Sequence, residues 1–290
     1  MMEVMIQGRL LTEKHIEWIR ELMDNNPDWH RTRLSQEICV IWNWVAANGQ
    51  FKDMACRTML LKLERRGYLQ LPERRTAGRN NAFIGHIPIE HSTTIIECVL
   101  QDLTPLNIEV VQSSETLRLF NHLLAKYHYL GFGSTVGENM KYIVYDCYRR
   151  PLACLLFGSA AWKVAGRDQE IGWNSKTRQE RLHLITSNTR FLILPWVKVP
   201  HLASHVLGRT SRRISDDWMK KYSHPIVMLE TFVEQDRFHG TCYQAANWQC
   251  VGQTQGRSRN DRYSKLTVPV KDVYLYPLTK KAKERLCHEP

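Results

Sequence analysis

The sequence lacks any Cys-x-x-Cys pair, any low-complexity tract, any internal repeat and any apolar run of membrane-spanning length. Its eight cysteines are scattered over 290 residues, without the paired spacing of a zinc module or a dithiol redox site. Reduced thiols in a cytosolic protein are the default for such a chain. The first residues carry acidic side chains and no continuous apolar stretch, which argues against a signal peptide. A helical span needs about 20 consecutive apolar residues, so no membrane partner is expected and the cytoplasm is the expected compartment. An acidic balance is missing too. The 40 basic residues outnumber the 29 acidic ones for a formal charge of +11, and the pI is about 9.3. That surplus selects an anionic partner, nucleic acid first. Hydrophobic residues make up 43% of the chain, enough for a globular core in two domains.

The pattern changes near Pro88 to Leu106, from helical to alternating strand and helix. The first expected helix opens at Thr12, with Ile16, Ile19, Leu22 and Met23 as its apolar stripe. The second runs from about Arg33 to Trp44. The third has Asp53 as its expected N-cap and runs to Arg66, before Gly67. Cys56, Leu60 and Leu63 form its apolar face, while Lys52, Arg57, Lys62 and Arg65 are offered to solvent. A short strand at Tyr68 to Leu71, a basic tip carrying Arg74, Arg75 and Arg79, and a return at Phe83 to Gly85 complete a winged helix-turn-helix layout. In that layout the third helix enters a major groove while the tip touches phosphates or the minor groove. The expected boundaries are a nucleic-acid-binding domain at 1–90, a linker at 91–107 and an α/β domain at 108–290.

In the second part a helix is expected from Ser114 to Tyr127. Strands follow at Asn139 to Asp146 and Leu152 to Gly158, joined by a turn at Arg149 to Pro151. A short helix at Gln179 to Ser187, a strand at Asn188 to Leu194 and one long helix from Leu202 to Tyr222 come next. A strand at Pro225 to Val233, a short helix around Tyr243 and a last strand at Val273 to Tyr276 close the order.

Chemistry gathers late in the chain. Glu230 sits at the end of a buried apolar run and needs a partner. Tyr243 and Asn247, four apart, would share a helix face. Arg257, Arg259 and Arg262 follow a glycine and form the strongest phosphate candidate in this region. Glu230, Tyr243, Asn247 and His128 are the catalytic candidates, with His128 as a general base. Arg190 either binds a phosphate or pairs with Glu230 across adjacent strands. Asp146, Asp216, Asp217 and Glu230 have no spacing that demands a metal, so no metal ligand set is expected. Cys242 near His239 lacks a third, orienting group. Aromatics alternate with cations at Trp162-Lys163, Trp173 to Lys176, Trp196 to Lys198 and Tyr263 to Lys265, a pattern that suits unpaired bases or simply fills a core and its rim. Ordinary structural roles stand beside each of these readings: Glu230 as a cap or ion-pair partner, Trp248 as core, Tyr243 as an anchor between helix and sheet.

Over roughly residues 108–278 the order of elements resembles the GNAT-like N-acetyltransferase superfamily. That resemblance implies acyl-CoA pyrophosphate held on backbone amides of a glycine-rich turn between the central strand and its helix. The corresponding run, Pro195 to Ser204, has no glycine and two prolines, and proline supplies no N–H. Acyl-CoA binding is therefore not expected.

A second resemblance rests on separated motifs: Lys52-Asp53-Met54-Ala55-Cys56-Arg57, Tyr127-His128-Tyr129-Leu130-Gly131, Ile171-Gly172-Trp173, Asn188-Thr189-Arg190-Phe191-Leu192, Leu202-Ala203-Ser204, and the block from Glu230-Thr231-Phe232-Val233 to Asn247-Trp248. Together they resemble the DruA family, named for the Druantia anti-phage defence system and also found near mobile elements. The resemblance implies a bacterial defence or mobile-element protein acting on nucleic acid, with other proteins of the same system as partners. It supplies neither mechanism nor cofactor.

The expected fold is thus α+β: a winged helix-turn-helix followed by a GNAT-like mixed or antiparallel sheet flanked by helices. The expected function is DNA binding in defence or mobile-element biology. The alternatives are a GNAT-type acyltransferase targeted by its winged helix and a transposase-related DNA-processing enzyme. If the chain is an enzyme, nucleic-acid processing is favoured over acyl transfer.

Overall fold

The computed structural model describes residues 3–6, 9–45, 49–73, 89–256 and 269–287. The chain divides into two compact units, Met1–Asn80 and Asn81–Pro290.

In the first unit β1 (Glu3–Ile6) and β2 (Arg9–Thr12) form an antiparallel hairpin that the sequence pattern did not announce. Three helices follow: α1 (Glu13–Asp24), α2 (Arg31–Ile41) and α3 (Asp53–Arg65). Their apolar stripes meet in one core that includes Ile16, Ile19, Leu34, Ile38, Cys56, Met59, Leu60 and Leu63. Two boundaries differ from expectation. α2 starts at Arg31 because the His30 ring caps it, accepting from the Arg33 N–H at 3.3 Å. Asp53 is not the N-cap of α3; Lys52 is, and Asp53 opens the first turn. There its carboxylate meets the positive end of the helix and accepts from Arg57 at 2.7 Å. The segment expected as a strand at 68–71 is not one. Side chains hold it instead: Arg20 donates to the Tyr68 carbonyl at 2.9 Å, and Glu64 accepts from the Leu71 N–H at 3.1 Å. The expected tip with Arg74, Arg75 and Arg79, and its return at 83–85, lie outside the described residues.

The second unit contains β3 (Ile96–Glu97), β4 (Asn107–Val110), α4 (Ser114–Tyr127), β5 (Asn139–Tyr145), β6 (Pro151–Ser159), α5 (Ala165–Ile171), α6 (Ser175–Arg181) and β7 (Ile185–Ile193). It continues through β8 (Val197–Lys198), α7 (Leu202–Ser211), α8 (Ile214–Tyr222), β9 (Met228–Glu234), α9 (Thr241–Ala245), β10 (Gln249–Gln253), β11 (Lys271–Pro277) and α10 (Ala282–Cys287). Seven strands make a mixed sheet in the order β10-β11-β9-β7-β6-β5-β4. Every neighbouring pair is antiparallel except β7–β9, which is parallel.

Residues 91–107, expected as a linker, belong to this unit. β3 pairs with β8, and Leu103 and Leu106 are buried in the core. The single long helix expected to end at Tyr222 is two helices. Asp216 and Asp217 stand in the first turn of α8, where carboxylates favour a helix start, and Arg213 just before them donates to Asp217 and to the Ile108 carbonyl. The short helix expected to reach Ser187 ends earlier. Asn174 caps α6, accepting from the Lys176 and Thr177 N–H groups at 2.9 Å, and Ile185 already begins β7. α5 and β10 were not anticipated. Gly166 lets α5 approach β10, where a Cβ would stand 2.5 Å from the Val251 carbonyl oxygen. Among the described residues no helix is long and apolar enough to cross a membrane.

One feature of the sheet places the site. β7 pairs with β9 only from Ile185↔Met228 to Asn188↔Thr231. At that point β7 carries a bulge: Leu156 faces Arg190 while Phe157 faces Asn188, leaving Thr189 as the extra residue. Beyond it β7 continues beside β6 and β9 beside β11, so the two strands part.

Candidate functional site

A cleft of about 830 Å³ opens where β7 and β9 separate. Residues 189–193 of β7 and 231–233 of β9 form two sides, and residues 127–130 at the end of α4 and 238–243 around α9 enclose it. The lining is largely aromatic and aliphatic. Its charged members among the described residues are Arg190 and Lys271, with no aspartate or glutamate.

The bulge is held by side chains. The Asn188 amide donates to the carbonyls of Leu156 and Arg190, each at 3.1 Å, and its oxygen accepts from the Tyr243 hydroxyl at 2.7 Å. Thr231 donates to the Asn188 carbonyl at 3.0 Å. Burial pushes the Tyr243 phenol well above its ordinary range, so it stays protonated and acts as a donor. Gly240 lets α9 close in on β11. It adopts φ +68°, and a Cβ there would run into the Tyr274 ring.

Arg190 reaches from the bulge to the turn after α4. Its Nε donates to the Gly131 carbonyl at 3.1 Å and its Nη1 to the Thr189 carbonyl at 2.7 Å. Neither partner carries charge, and burial pulls the guanidinium pKa down. His128 is buried on the same turn, and its Nδ1 accepts from the Leu130 N–H at 3.2 Å. Burial, reinforced by the Arg190 charge, lowers its pKa to about 4. The ring is therefore neutral near pH 7 with its proton on Nε2. In this state its remaining ring position, Nε2–H, is a hydrogen-bond donor. Tyr129 stacks on it at 4.9 Å and carries the Arg237 guanidinium 4.7 Å from its ring centroid. Phe238 packs edge-on against Tyr129 and stays 46% exposed, an apolar face left open at the site.

The structure separates several residues that the sequence reading brought together. Glu230 is fully buried and does not line the cleft; its carboxylate accepts from Arg167 and from the Ala161 N–H, each at 2.8 Å. Strand alternation explains the correction: Thr231 lines the cleft, and Glu230 points to the opposite face. Burial raises the Glu230 pKa against the pull of Arg167 and of that N–H. Its charged partner among the described residues is Arg167, not Arg190. Asn247 shares no helix face with Tyr243, because α9 ends at Ala245 and Asn247 is exposed in the left-handed region at φ 62°. Trp248 is buried in the core. Tyr243, His128 and Arg190 do line the same cleft.

Cys242 and His239 also line it, with burial raising the thiol pKa. Asp146 holds the β5–β6 turn through Arg150, and Asp217 holds Arg213 and Tyr142. Among the described residues no group of three or more His, Cys, Asp or Glu is arranged to hold a metal. In the first unit Arg57 is engaged by Asp53 and Ser35. Lys52, Lys62 and Arg65 are exposed and form no ion pair among the described residues. Arg257, Arg259 and Arg262 lie outside the described residues. Arg167, Tyr129, Phe238 and Lys271 were missed. An isolated arginine in an unread helix and single aromatics in loops give no periodic signal.

Solved structures similar to this chain include spermidine N-acetyltransferase from Vibrio cholerae in complex with CoA and spermine. It shows 8% identity and a TM-score of 0.42, and covers 61% of this chain and 98% of its own. The spermidine/spermine N-acetyltransferase SpeG from the same organism, in complex with manganese ions, shows 8% identity and a TM-score of 0.40, covering 62% and 96%. No curated protein matches the sequence. The family described as Druantia protein DruA matches residues 62–267, most of the chain and every cleft residue from Tyr127 to Thr254, and the chain belongs to that family.

Proposed function

We propose that this DruA-family protein acts on nucleic acid in bacterial anti-phage defence, taking single-stranded nucleic acid into the β7–β9 cleft and duplex DNA on the basic side of α3. One observation carries the reading. The cleft combines aromatic walls with two cations and, among the described residues, no carboxylate. Aromatic faces stack bases while cations meet the backbone, which is how single strands are held without sequence preference. A volume of about 830 Å³ suits a small ligand or a few atoms' width of chain, not a duplex. On α3, Lys62 and Arg65 are three residues apart on one solvated face and suit phosphate contacts. The test is binding of duplex, single-stranded and branched DNA to the full chain across a salt series, with and without magnesium. Salt-sensitive binding of at least one form is expected; none at any salt concentration would end the reading.

The parting of the parallel strands beside Ala203 at the start of α7 favours a second reading, acyl-CoA binding. Against it, the run from Pro195 to Ser204 offers no glycine and loses two amide donors to proline. Calorimetric titration with acetyl-CoA separates the two. No micromolar complex is expected, and finding one would make acyl transfer the leading function.

A further inference from the structure

A second, smaller cavity of about 250 Å³ adjoins the cleft, and Thr189 and Arg190 line both. Its walls differ in character. Ser134, Thr135, Ser159 and Thr189 bring hydroxyls, and Asn139 brings an amide. Lys141 stands beside it, donating to Asn139 at 2.6 Å. Arg190 thus stands between an aromatic cleft and a hydroxyl-lined pocket, half-buried, with two neutral carbonyls as its partners. A partly desolvated guanidinium without a carboxylate is a strong anion site, because bonds between charged groups are shorter and about twice as strong as neutral ones. His128 lies on the same turn and lines the cleft, its Nδ1 taken by the Leu130 N–H. Phe238 leaves nearly half its surface open beside the cleft.

We propose that Arg190 anchors the phosphate of a nucleoside monophosphate unit, whose base lies in the aromatic cleft and whose phosphate faces the hydroxyl-lined pocket. The unit is either a free nucleotide or the phosphorylated end of a single strand. The proposal rests on the nucleic-acid reading of the cleft and adds the group that is recognised.

The experiment is calorimetry on the full chain with four probes: thymidine, thymidine 5′-monophosphate, and oligothymidylate with a 5′-phosphate or a 5′-hydroxyl. The phosphate should improve binding about 10- to 100-fold, and Arg190→Gln should remove that advantage. Phe238→Ala, at an exposed position, should weaken every probe about tenfold by loss of stacking. It keeps the proposal testable should Arg190→Gln unfold the chain. Preference for the phosphorylated oligomer over the mononucleotide identifies a strand end as the source. Equal binding with and without phosphate, or an Arg190→Gln chain that still prefers phosphate, overturns the anchor and leaves strand binding standing. Arg190-dependent binding of the mononucleotide with no oligomer or duplex bound supports the anchor and ends the strand reading.

Discussion

Arg167 and Glu230 form an ion pair at 2.8 Å with both side chains fully buried. Arg167 also donates to the Ala161 carbonyl at 2.7 Å and to Asp168 at 2.8 Å, and Asp168 accepts from the Trp173 indole at 3.0 Å and from Arg178 at 3.2 Å. The network ties α5 and α6 to β9 on the face of the sheet away from the cleft.

Removing one partner of such a pair leaves an uncompensated buried charge. Arg167→Met is expected to destabilise the chain by about 3–5 kcal/mol, seen as an early thermal transition. Glu230→Gln should fall in the same direction. Replacing both residues with apolar ones should recover much of the loss. A Glu230→Gln chain that melts like the wild type yet loses phage protection would return Glu230 to the list of catalytic residues.

The Tyr243 hydroxyl and the Asn188 side chain give a second prediction. Tyr243→Phe strands a buried amide oxygen and should cost about 1–3 kcal/mol. Asn188→Ala should cost more, because it also frees the carbonyls of Leu156 and Arg190 at the bulge. Both variants should weaken ligand binding in the cleft, Asn188→Ala the more, since the bulge aims Arg190. If Asn188→Ala binds nucleotide as the wild type does, the bulge does not set the position of Arg190.

His128 sets a pH dependence. Its ring takes a proton near pH 6.5 when unfolded and only at about 4 when folded. Between those values unfolding takes up a proton, so stability is fully present above about pH 6.5 and declines as the pH falls toward 4. One such group contributes a slope of at most about 1.4 kcal/mol per pH unit, less where solvent screens the ring. His183 and His205 are shifted in the same direction, so the readout is the difference between the wild type and His128→Gln, whose slope should be shallower. Histidine NMR checks it directly: a His128 resonance titrating near 6.5 contradicts a buried neutral ring.

The second unit was legible where period and burial agree. The strands at Asn139 and Leu152 and the helix at Ser114 follow from apolar runs and a serine cap, and lie within a residue or two of their expected bounds. The cleft was only partly legible. Arg190 and Tyr243 were singled out, but strand alternation sends Glu230 to the other face, while a bulge at Thr189 breaks the same alternation one strand away. Bulges and left-handed residues such as Asn247 leave no periodic mark, and they decide which side chains meet. Arg167 was invisible for another reason: only the tertiary fold brings it against a carboxylate 63 residues later.

The remaining prediction concerns α3. Each phosphate neutralised on B-DNA adds about 0.9 to the slope of log affinity against log salt. Lys62 and Arg65 are exposed and unpaired among the described residues, whereas Arg57 already spends its charge on Asp53 at 2.7 Å. Lys62→Ala with Arg65→Ala should therefore lower duplex affinity and reduce the slope by about two. Arg57→Ala should change it less, because an arginine already paired with Asp53 neutralises no phosphate. Surface substitutions of this kind cost little, so the unfolding free energy should hold within about 0.5 kcal/mol of the wild type. An unchanged slope in the double variant would take α3 out of the duplex interface, and a larger effect from Arg57 would mean that its ion pair opens on DNA.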